Sequence, residues 1–197
     1  MIDVNTLLAW GASFKKLAAG DLIFREGTCC TFYHQLVEGS VRWVNINEDG
    51  KEFIQTFVEP GECFGEFPLF DDMAYAASAI ADKDSVIIRV HKSIFHSILK
   101  DDPDMHFAFS KMLTQRLRFK FLILKELAAH DPENSISTLL NYFKTHQKNI
   151  CIKCHKLKLT RQQIADMTGL RVETVIRTMK TMQHKGFLRI AKGKVYC

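Results

Sequence analysis

The first half of the chain consists of short apolar segments that glycines separate. Five of these segments are rich in β-branched and aromatic residues and predict strands: residues 22–24, 32–37, 41–46, 53–58 and 86–90. Glu48-Asp49-Gly50-Lys51 is a good hairpin turn between two of them. Strands this short and this regularly spaced predict a β-sandwich or jelly roll rather than a sheet built of βαβ units.

A long helical pattern follows this predicted roll. Asp101-Asp102-Pro103 marks a helix start, and helical residues continue to about Ala129. The apolar residues of this helix cover more than one face, so one face can cover the roll while the remainder needs another partner. Four leucines step by four, seven and three, as a coiled-coil seam does, with Lys120 interrupting them: Leu113, Leu117, Leu124 and Leu127. We therefore expect dimerisation along this helix; the alternative is a helix buried wholly within its own domain.

The last third of the chain contains a pattern of two short helices joined by a tight turn. His130-Asp131-Pro132 ends the long helix, and an amphipathic helix follows at residues 133–145. Thr160 is a good N-cap, with Gln163 three residues later as a capping box requires. Gly169 lets the backbone leave that helix with a positive φ.

The second helix of this pair is predicted at residues 172–184. It buries Val175, Met179 and Met182 at helical spacing, while Glu173 and Arg177 share another face four residues apart. This is the layout of a helix-turn-helix whose second helix enters the DNA major groove. A small hairpin of the winged type is predicted at residues 186–196.

The charge is divided unevenly along the chain. Residues 1–102 hold 9 Lys and Arg against 16 Asp and Glu, whereas residues 103–197 hold 18 against 6, and the two net charges of −7 and +12 sum to +5. A basic half that contains a helix-turn-helix pattern fits a polyanion, so double-stranded DNA is the expected partner.

Several other classes of protein are disfavoured. No run of about 18 apolar residues predicts a membrane span, and the first residues do not resemble a secretory signal. Six cysteines without such a signal indicate reduced thiols in a cytoplasm. Adjacent Cys29 and Cys30 make a poor disulfide framework.

The order of these segments resembles the Crp/Fnr family of bacterial transcription regulators over residues 19–196. The segments that carry the resemblance are residues 20–27, 37–41, 60–66 with Leu69-Phe70, and 159–177. The resemblance implies an α+β fold: a double-stranded β-helix (jelly roll) like a cyclic-nucleotide-binding domain at 1–102, a dimerisation helix at 103–130 and a winged helix-turn-helix at 131–197. It also implies a cytoplasmic homodimer that reads an inverted-repeat DNA site and works with RNA polymerase.

The resemblance assigns base reading to Glu173 and Arg177. A carboxylate can accept a hydrogen bond from cytosine N4, and a guanidinium can bind guanine O6 and N7 together. The alternative is an exposed salt bridge between the two. Val172 stands where some members of the family have a further arginine, so it offers only apolar contact and predicts a different half-site. Phosphate contacts are expected from six further residues: Arg161, Arg171, Thr174, Lys180, Lys192 and Lys194.

The effector region matches the family only in part. In members that bind a cyclic nucleotide, a Gly-Glu pair meets the ribose, and Gly65-Glu66 corresponds to it. The Arg that holds the phosphate is absent, because the expected place holds Ala74-Tyr75-Ala76-Ala77-Ser78 and no Lys or Arg occurs between Glu66 and Lys83. A buried phosphate without a cation is costly. Gly65, Glu66 and Tyr75 therefore mark an effector pocket that we expect to bind no cyclic nucleotide, and the effector, if there is one, is an unknown small molecule.

No cofactor is predicted. Cys29, Cys30 and Cys63 are too few and wrongly spaced for the iron–sulfur cluster of other family members, which needs about four thiolates. Cys151-Ile152-Lys153-Cys154-His155 is similar to a c-type haem attachment site, which fits a cytoplasmic DNA-binding domain poorly. A zinc or redox role for Cys151 and Cys154 stays open beside the absence of any chemistry, and His34 and His91 have no spacing that supports haem.

Two other classes of function remain as alternatives. A cupin-like metal protein shares the jelly roll, but cupins have two nearby histidines followed by a carboxylate, and this roll has no His-x-His. A sensory module that dimerises without DNA is the other. We predict no catalytic residues and no enzyme activity.

Overall fold

The computed structural model describes residues 1–197. The chain folds into two compact units, Met1–Thr114 and Gln115–Cys197. The first unit contains six antiparallel strands: β1 (Ser13–Leu17), β2 (Leu22–Phe24), β3 (Phe32–Ile46), β4 (Glu52–Val58), β5 (Cys63–Phe64) and β6 (Ser78–His91). Their order is β1-β6-β3-β4, with β2 paired to β6 and β5 paired to β3. The predicted roll is therefore present, and the predicted turn at Gly50 joins β3 to β4.

The predicted strands at 32–37 and 41–46 are one long strand in the structure. β3 continues through Gly39, where its pairing with β6 shifts register. Gly39 has a φ of +101°, and a Cβ there would lie 2.6 Å from the backbone oxygen of Asp84. Only glycine fits such a close approach of two strands. Gly39 thus bends the strand without ending it.

Three helices complete the first unit together with the start of a fourth. They are α1 (Val4–Ala9), α2 (Phe67–Asp71) and α3 (Lys92–Asp101), and the fourth is α4 (Pro103–Ala129). Phe95 of α3 and Phe109 of α4 are buried against Tyr33 of the roll, with ring centroids 4.9 and 6.1 Å from the tyrosine ring. A second cluster of buried side chains, including Leu36, Phe64 and Ile87, fills the interior of the roll.

Helix α4 has the predicted bounds, and the division between the two units falls within it. Its end is abrupt, because His130 adopts a φ of +53° and Asp131 then caps the next helix, accepting from the backbone nitrogens of Glu133 and Asn134.

The second unit is a bundle of short helices with a two-stranded hairpin. It comprises α5 (Pro132–His146), α6 (Arg161–Thr168), α7 (Val172–His184), β7 (Arg189–Ala191) and β8 (Lys194–Tyr196). Helix α7 packs against both α5 and α6. The side chains between them are fully or nearly fully buried, among them Ile136, Leu139, Ile164, Val175 and Met179. Lys185, just after α7, also forms a salt bridge of 2.8 Å with Glu133 of α5.

Candidate DNA interface and effector region

The helix-turn-helix at 159–184 is built by the local signals that the sequence contains. The Thr160 side chain accepts from the backbone nitrogen of Gln163, and the Gln163 side chain accepts from the backbone nitrogen of Thr160 at 2.9 Å. Gly169 ends α6 with a φ of +69°. Both helices have bounds close to those predicted, because caps and glycine turns act over only a few residues.

Helix α7 is fixed on one side and open on the other. Val175, Met179 and Met182 are buried, so the face that carries Glu173 and Arg177 is exposed. No ion pair joins these two side chains, and neither makes a side-chain hydrogen bond with another residue of the structure. The exposed salt bridge that we considered as the alternative to base reading is therefore not formed, and both charged groups are free to meet a ligand.

The expected phosphate-contacting residues all lie in the second unit. Arg171, Lys180, Lys192 and Lys194 are exposed, and Thr174 is half-buried, as is Val172 at the first position of α7. Arg161 has an additional role, because its guanidinium donates to the backbone oxygen of Gly193 at 2.7 Å. It ties the start of α6 to the turn between β7 and β8.

The hairpin of β7 and β8, which we call the wing, is extended by a third short segment. An isolated antiparallel bridge pairs Lys156 with Tyr196, and the Leu157 nitrogen donates to the Val195 oxygen at 2.9 Å. The sequence predicted no strand between the helix at 133–145 and Thr160. This pairing could not be seen there, because single bridges carry no period-2 pattern.

The effector region beside Gly65 is filled by aromatic side chains of the chain itself. The rings of Phe24 and Tyr75 stack with centroids 3.8 Å apart. A Cβ on Gly65 would lie 2.6 Å from Phe24 and 3.0 Å from Tyr75, and Gly65 has a φ of +69°. Gly65, Glu66 and Tyr75, which the sequence grouped, are all buried here. Gly65 serves both the turn and the close approach of the two rings.

Tyr75 is held by a thiol that the sequence analysis did not connect with it. Its hydroxyl donates to Cys30 Sγ at 3.1 Å, and the Cys30 thiol donates to the Phe32 oxygen at 3.4 Å. Burial, together with this hydrogen bond, raises the pKa of Tyr75 well above its ordinary value. The phenol is therefore neutral and fixed in place.

His34 is a further group of the same region, and the sequence did not indicate that it is buried. Its ring lies 5.6 Å from that of Phe24 and 5.5 Å from that of Phe64, and its Nδ1 has no hydrogen-bond partner. Burial, with a smaller contribution from Arg89 and Lys15, lowers the pKa of His34 to about 3. The imidazole is neutral at physiological pH, and the long-range pairing of β3 with β5 and β6 creates its surroundings.

Arg42 of β3 is committed to carboxylates. Its Nε lies 2.8 Å from Glu52, and its Nη1 lies 3.6 Å from Asp82. Such a bidentate pair leaves this guanidinium little capacity to replace the phosphate-binding arginine that the loop after Glu66 lacks.

Comparison with known proteins identifies the family. A model of the cyclic nucleotide-binding domain matches residues 14–102, and a model of the Crp-like helix-turn-helix domain matches residues 136–196. The chain is also 32% identical to the cAMP-activated global transcriptional regulator CRP of Pasteurella multocida, over 98% of this chain and 94% of that protein. The chain belongs to the Crp/Fnr family of DNA-binding transcription regulators.

One further relative and two solved structures are also similar to the chain. The cyclic AMP receptor protein of Thermus thermophilus is 24% identical over 89% of this chain and 79% of that protein. FixK2 from Bradyrhizobium japonicum has a TM-score of 0.80 at 21% identity, covering 94% of this chain and 91% of that chain. The c-di-GMP responsive regulator CLP of Xanthomonas campestris has a TM-score of 0.79 at 18% identity, covering 98% and 96%. These structures share the α+β fold of this Crp/Fnr regulator.

The remaining residues that the sequence considered for chemistry are cysteines of both units. Cys29 is exposed, Cys63 is buried, and no group of three or more His, Cys, Asp or Glu side chains in the structure is placed to hold a metal ion. Cys151 and Cys154 are neighbours in one turn of the second unit. None of the seven helices combines the length and apolar content that a membrane span requires.

Proposed function

We propose that this regulator reads an inverted-repeat DNA site as a homodimer, with Glu173 and Arg177 of each α7 in contact with base edges. The observation that carries this proposal is the exposed, uncommitted pair one helical turn apart on a helix whose other face is buried. Each base contact of this kind contributes about 1–3 kcal/mol of discrimination. Val172 adds an apolar contact, to a thymine methyl group for example.

The basic groups around α7 position the protein on the duplex. Arg171, Thr174 and Lys180 flank the recognition face, and Lys192 and Lys194 extend from the wing. We assign them to phosphate contacts, with Arg161 contributing through its remaining donors while it holds the wing turn.

The exposed face of α4 supports the homodimer. Phe107 is 74% exposed, and Leu117, Phe121 and Leu124 are 57–65% exposed. Such a series of exposed apolar side chains is typical of an interaction surface. The spacing from Leu117 through Phe121 to Leu124 is four and then three, as in a coiled coil. Leu113 and Leu127, which the sequence analysis placed in the seam, are half-buried within the chain. We therefore centre the dimer contact on Leu117, Phe121 and Leu124.

Negative charges introduced on this exposed face of α4 test the proposed dimer directly. Leu117→Glu together with Leu124→Glu should give a monomer in sedimentation velocity. Met73→Glu, which changes an exposed apolar residue of the roll, should leave the sedimentation coefficient of the dimer unchanged. A dimer that survives both changes on α4 would contradict the proposed contact.

We propose that DNA binding does not depend on a cyclic nucleotide. Two relatives are named for cyclic AMP, and this chain keeps Gly65 and Glu66. The loop after Glu66 nevertheless supplies no cation, Phe24 and Tyr75 fill the space beside Gly65, and Arg42 is bound by Glu52 and Asp82. An effector of this roll would have to be a small molecule that displaces aromatic side chains rather than one that brings a phosphate.

Selection of sites from random double-stranded DNA with the purified full-length protein tests the function. We expect an inverted repeat with half-sites about one helical turn apart, roughly 34–36 Å between centres. Titrations of the selected site without and with cyclic AMP should give the same affinity. A gain of about fivefold or more, the size usual for allosteric coupling, would support the cyclic-nucleotide alternative. Failure to enrich any sequence would contradict base reading.

The proposed function also implies where in the cell the protein acts. A regulator that binds the chromosome acts in the cytoplasm of a bacterium, and its output is a contact with RNA polymerase or a block to it. The proposed role is binding without catalysis.

A further inference from the structure

Two cysteines of the second unit lie at opposite ends of a single tight turn. We call residues 151–155 the dithiol turn. The Cys151 nitrogen donates to the Lys156 oxygen and the His155 nitrogen donates to the Cys151 oxygen, both at 2.8 Å, and an antiparallel bridge pairs Ile150 with Leu157 just outside. The hydrogen bond from His155 to Cys151 closes one turn of backbone around the two cysteines, and both line the same pocket. Cys151 and Cys154 are therefore held within a single turn of the folded protein.

The surroundings of Cys151 favour its thiolate. Its sulfur accepts from the backbone nitrogen and the thiol of Cys154 and from the backbone nitrogen of Lys153, and Lys158 adds a positive charge. These contacts lower the pKa of Cys151 below its ordinary value. Since the thiolate is the reactive form, Cys151 is the nucleophile of the pair. Cys154 is exposed and Cys151 is half-buried, so a small reagent can reach them.

The dithiol turn is joined by hydrogen bonds to the wing. The Cys197 nitrogen donates to the His155 oxygen at 3.1 Å, which adds to the pairing of Lys156 and Leu157 with β8. Both cysteines, Arg161, Gly193 and Lys194 line one pocket of about 680 Å³. The dithiol turn is therefore connected through β8 to the hairpin that carries Lys192 and Lys194.

We propose that Cys151 and Cys154 are a reversible dithiol–disulfide site for low-molecular-weight disulfides, and that its closure displaces the wing and weakens DNA binding. The effect on DNA rests on the proposed function; the formation of the disulfide does not.

The reaction balances with a small disulfide as the oxidant. The Cys151 thiolate attacks one sulfur of the small disulfide, forming a mixed disulfide and releasing one small thiolate. Cys154 then loses its proton and attacks the Cys151 sulfur, which breaks the mixed disulfide and releases the second small thiolate. The two protein thiols are oxidised by two electrons, and the small disulfide is reduced to two thiols that take up the two protons.

Closure requires the dithiol turn to tighten. In a helical turn, residues three apart have Cβ atoms about 5–6 Å from each other, whereas a disulfide holds them at about 3.5–4.5 Å. A contraction of roughly 1–2 Å must therefore be absorbed by the hydrogen bonds at the two ends of the turn. These are the bonds of Cys151 with Lys156 and of His155 with Cys197, and Cys197 directly follows β8 of the wing.

The experiment treats the reduced full-length protein with oxidised glutathione and follows both mass and DNA binding. In wild type we expect the loss of two hydrogens, with peptide mapping that joins Cys151 to Cys154. Cys154→Ser should stop at a glutathione adduct on Cys151. Cys29→Ser, which removes an exposed cysteine of the roll, is the matched control and should oxidise at the dithiol turn as wild type does.

DNA binding is measured on the same samples. Oxidised wild type should bind its selected site roughly tenfold more weakly, and the slope of log affinity against log salt should fall by up to about 2, because two wing lysines leave the phosphates. Dithiothreitol should restore both values. The double variant Cys151→Ser with Cys154→Ser should bind like reduced wild type before and after oxidation, which also shows that it is folded.

Four outcomes would contradict the proposal in whole or in part. Wild type that takes up glutathione without closing the pair, or that carries one tightly bound zinc ion on these cysteines, has no such disulfide site. Closure without a change in DNA affinity removes the coupling to the wing. If the reduced protein binds no DNA, the proposed function fails and the coupling with it, whereas the peptide map still decides whether the disulfide forms.

Discussion

In the first unit the side chains beside the Gly65-Glu66 loop stack on one another, whereas in the second unit the charged side chains of α7 stand apart and exposed. Phe24 and Tyr75 are in ring contact and Tyr75 is bonded to Cys30. Glu173 and Arg177 have no ion pair with each other. One unit has a filled interior, and the other presents an open surface.

This difference teaches that the two kinds of site depend on different physical requirements. An interior ligand site needs empty space and, for a phosphate, a buried cation, so aromatic residues that fill the space and the absence of an arginine disfavour such a site. A DNA-reading surface needs only a rigid helix with the right groups outward, which local caps and a small core secure. The input of a regulator can therefore change while its output is kept.

The largest effect should come from adding a methyl group to the filled interior. Gly65→Ala places a Cβ against Phe24 and Tyr75 at a left-handed φ, so it should lower the free energy of unfolding by about 2–5 kcal/mol. Denaturant unfolding measures this change. Gly61→Ala is the control, because its φ is also positive but nothing lies within 4 Å, and it should cost about 1–2 kcal/mol. Equal losses would mean that the roll is not filled beside Gly65.

The exposed face of α7 is tested by removing one side chain that we propose contacts a base. Arg177→Ala should cost about 1–3 kcal/mol on the specific site and leave weak, salt-sensitive binding to all DNA. Fluorescence titration on specific and random duplexes measures both. Lys180→Ala is the contrast, since loss of a phosphate contact should weaken binding to every sequence alike and lower the salt slope by about 1. An equal loss on both duplexes for Arg177→Ala would remove its base-reading role.

Buried His34 tests how well the interior excludes charge. Its pKa is lowered from 6.5 to about 3. Below pH 6.5, therefore, His34 becomes protonated in the unfolded chain but stays neutral in the folded chain. Stability from this group is complete above pH 6.5 and falls towards pH 3, with a loss of about 1.4 kcal/mol by pH 5.5. Unfolding in denaturant at pH 7.5 and 5.5 should show this loss in wild type and lack it in His34→Leu. His106→Gln, at an exposed histidine, should keep the wild-type pH dependence; if His34→Leu keeps it too, His34 is not excluded from water.

The smallest effect is expected at the N-cap of α6, the helix against which α7 packs. Thr160→Ala removes the capping box of α6 and should destabilise the second unit by about 1 kcal/mol. Thr160→Ser keeps the hydroxyl and should remain near wild type. Thermal unfolding compares the three proteins, and a loss in Thr160→Ser equal to that in Thr160→Ala would show that the cap hydrogen bond is not the cause.

The sequence predicted what short-range signals control. The capping box, Gly169 and the apolar spacing of α7 act within a few residues, and the helix-turn-helix follows from them directly. The hairpin at Gly50 and the length of α4 were also predictable. Helices α1 and α2 were missed, because five or six residues give too short a pattern to distinguish from a loop.

What the sequence could not show depends on pairing between distant residues. The neutral state of His34, the bond between Tyr75 and Cys30 and the stack on Phe24 all arise when β2, β3, β5 and β6 come together. The link from the dithiol turn to β8 likewise joins residues some forty positions apart. The missing phosphate-binding arginine, in contrast, was readable at once, since the absence of a residue type needs no structure.

The exposed apolar series on α4 has a consequence for how the regulator responds to its own abundance. Where most of the protein is monomer, the amount of the proposed DNA-binding dimer rises with the square of the chain concentration. A modest change in synthesis or degradation then produces a larger change in promoter occupancy. Leu117, Phe121 and Leu124 would thus set the chain concentration at which the dimer forms, and a regulator that takes up no cyclic nucleotide, as we propose for this one, would still respond to its own copy number.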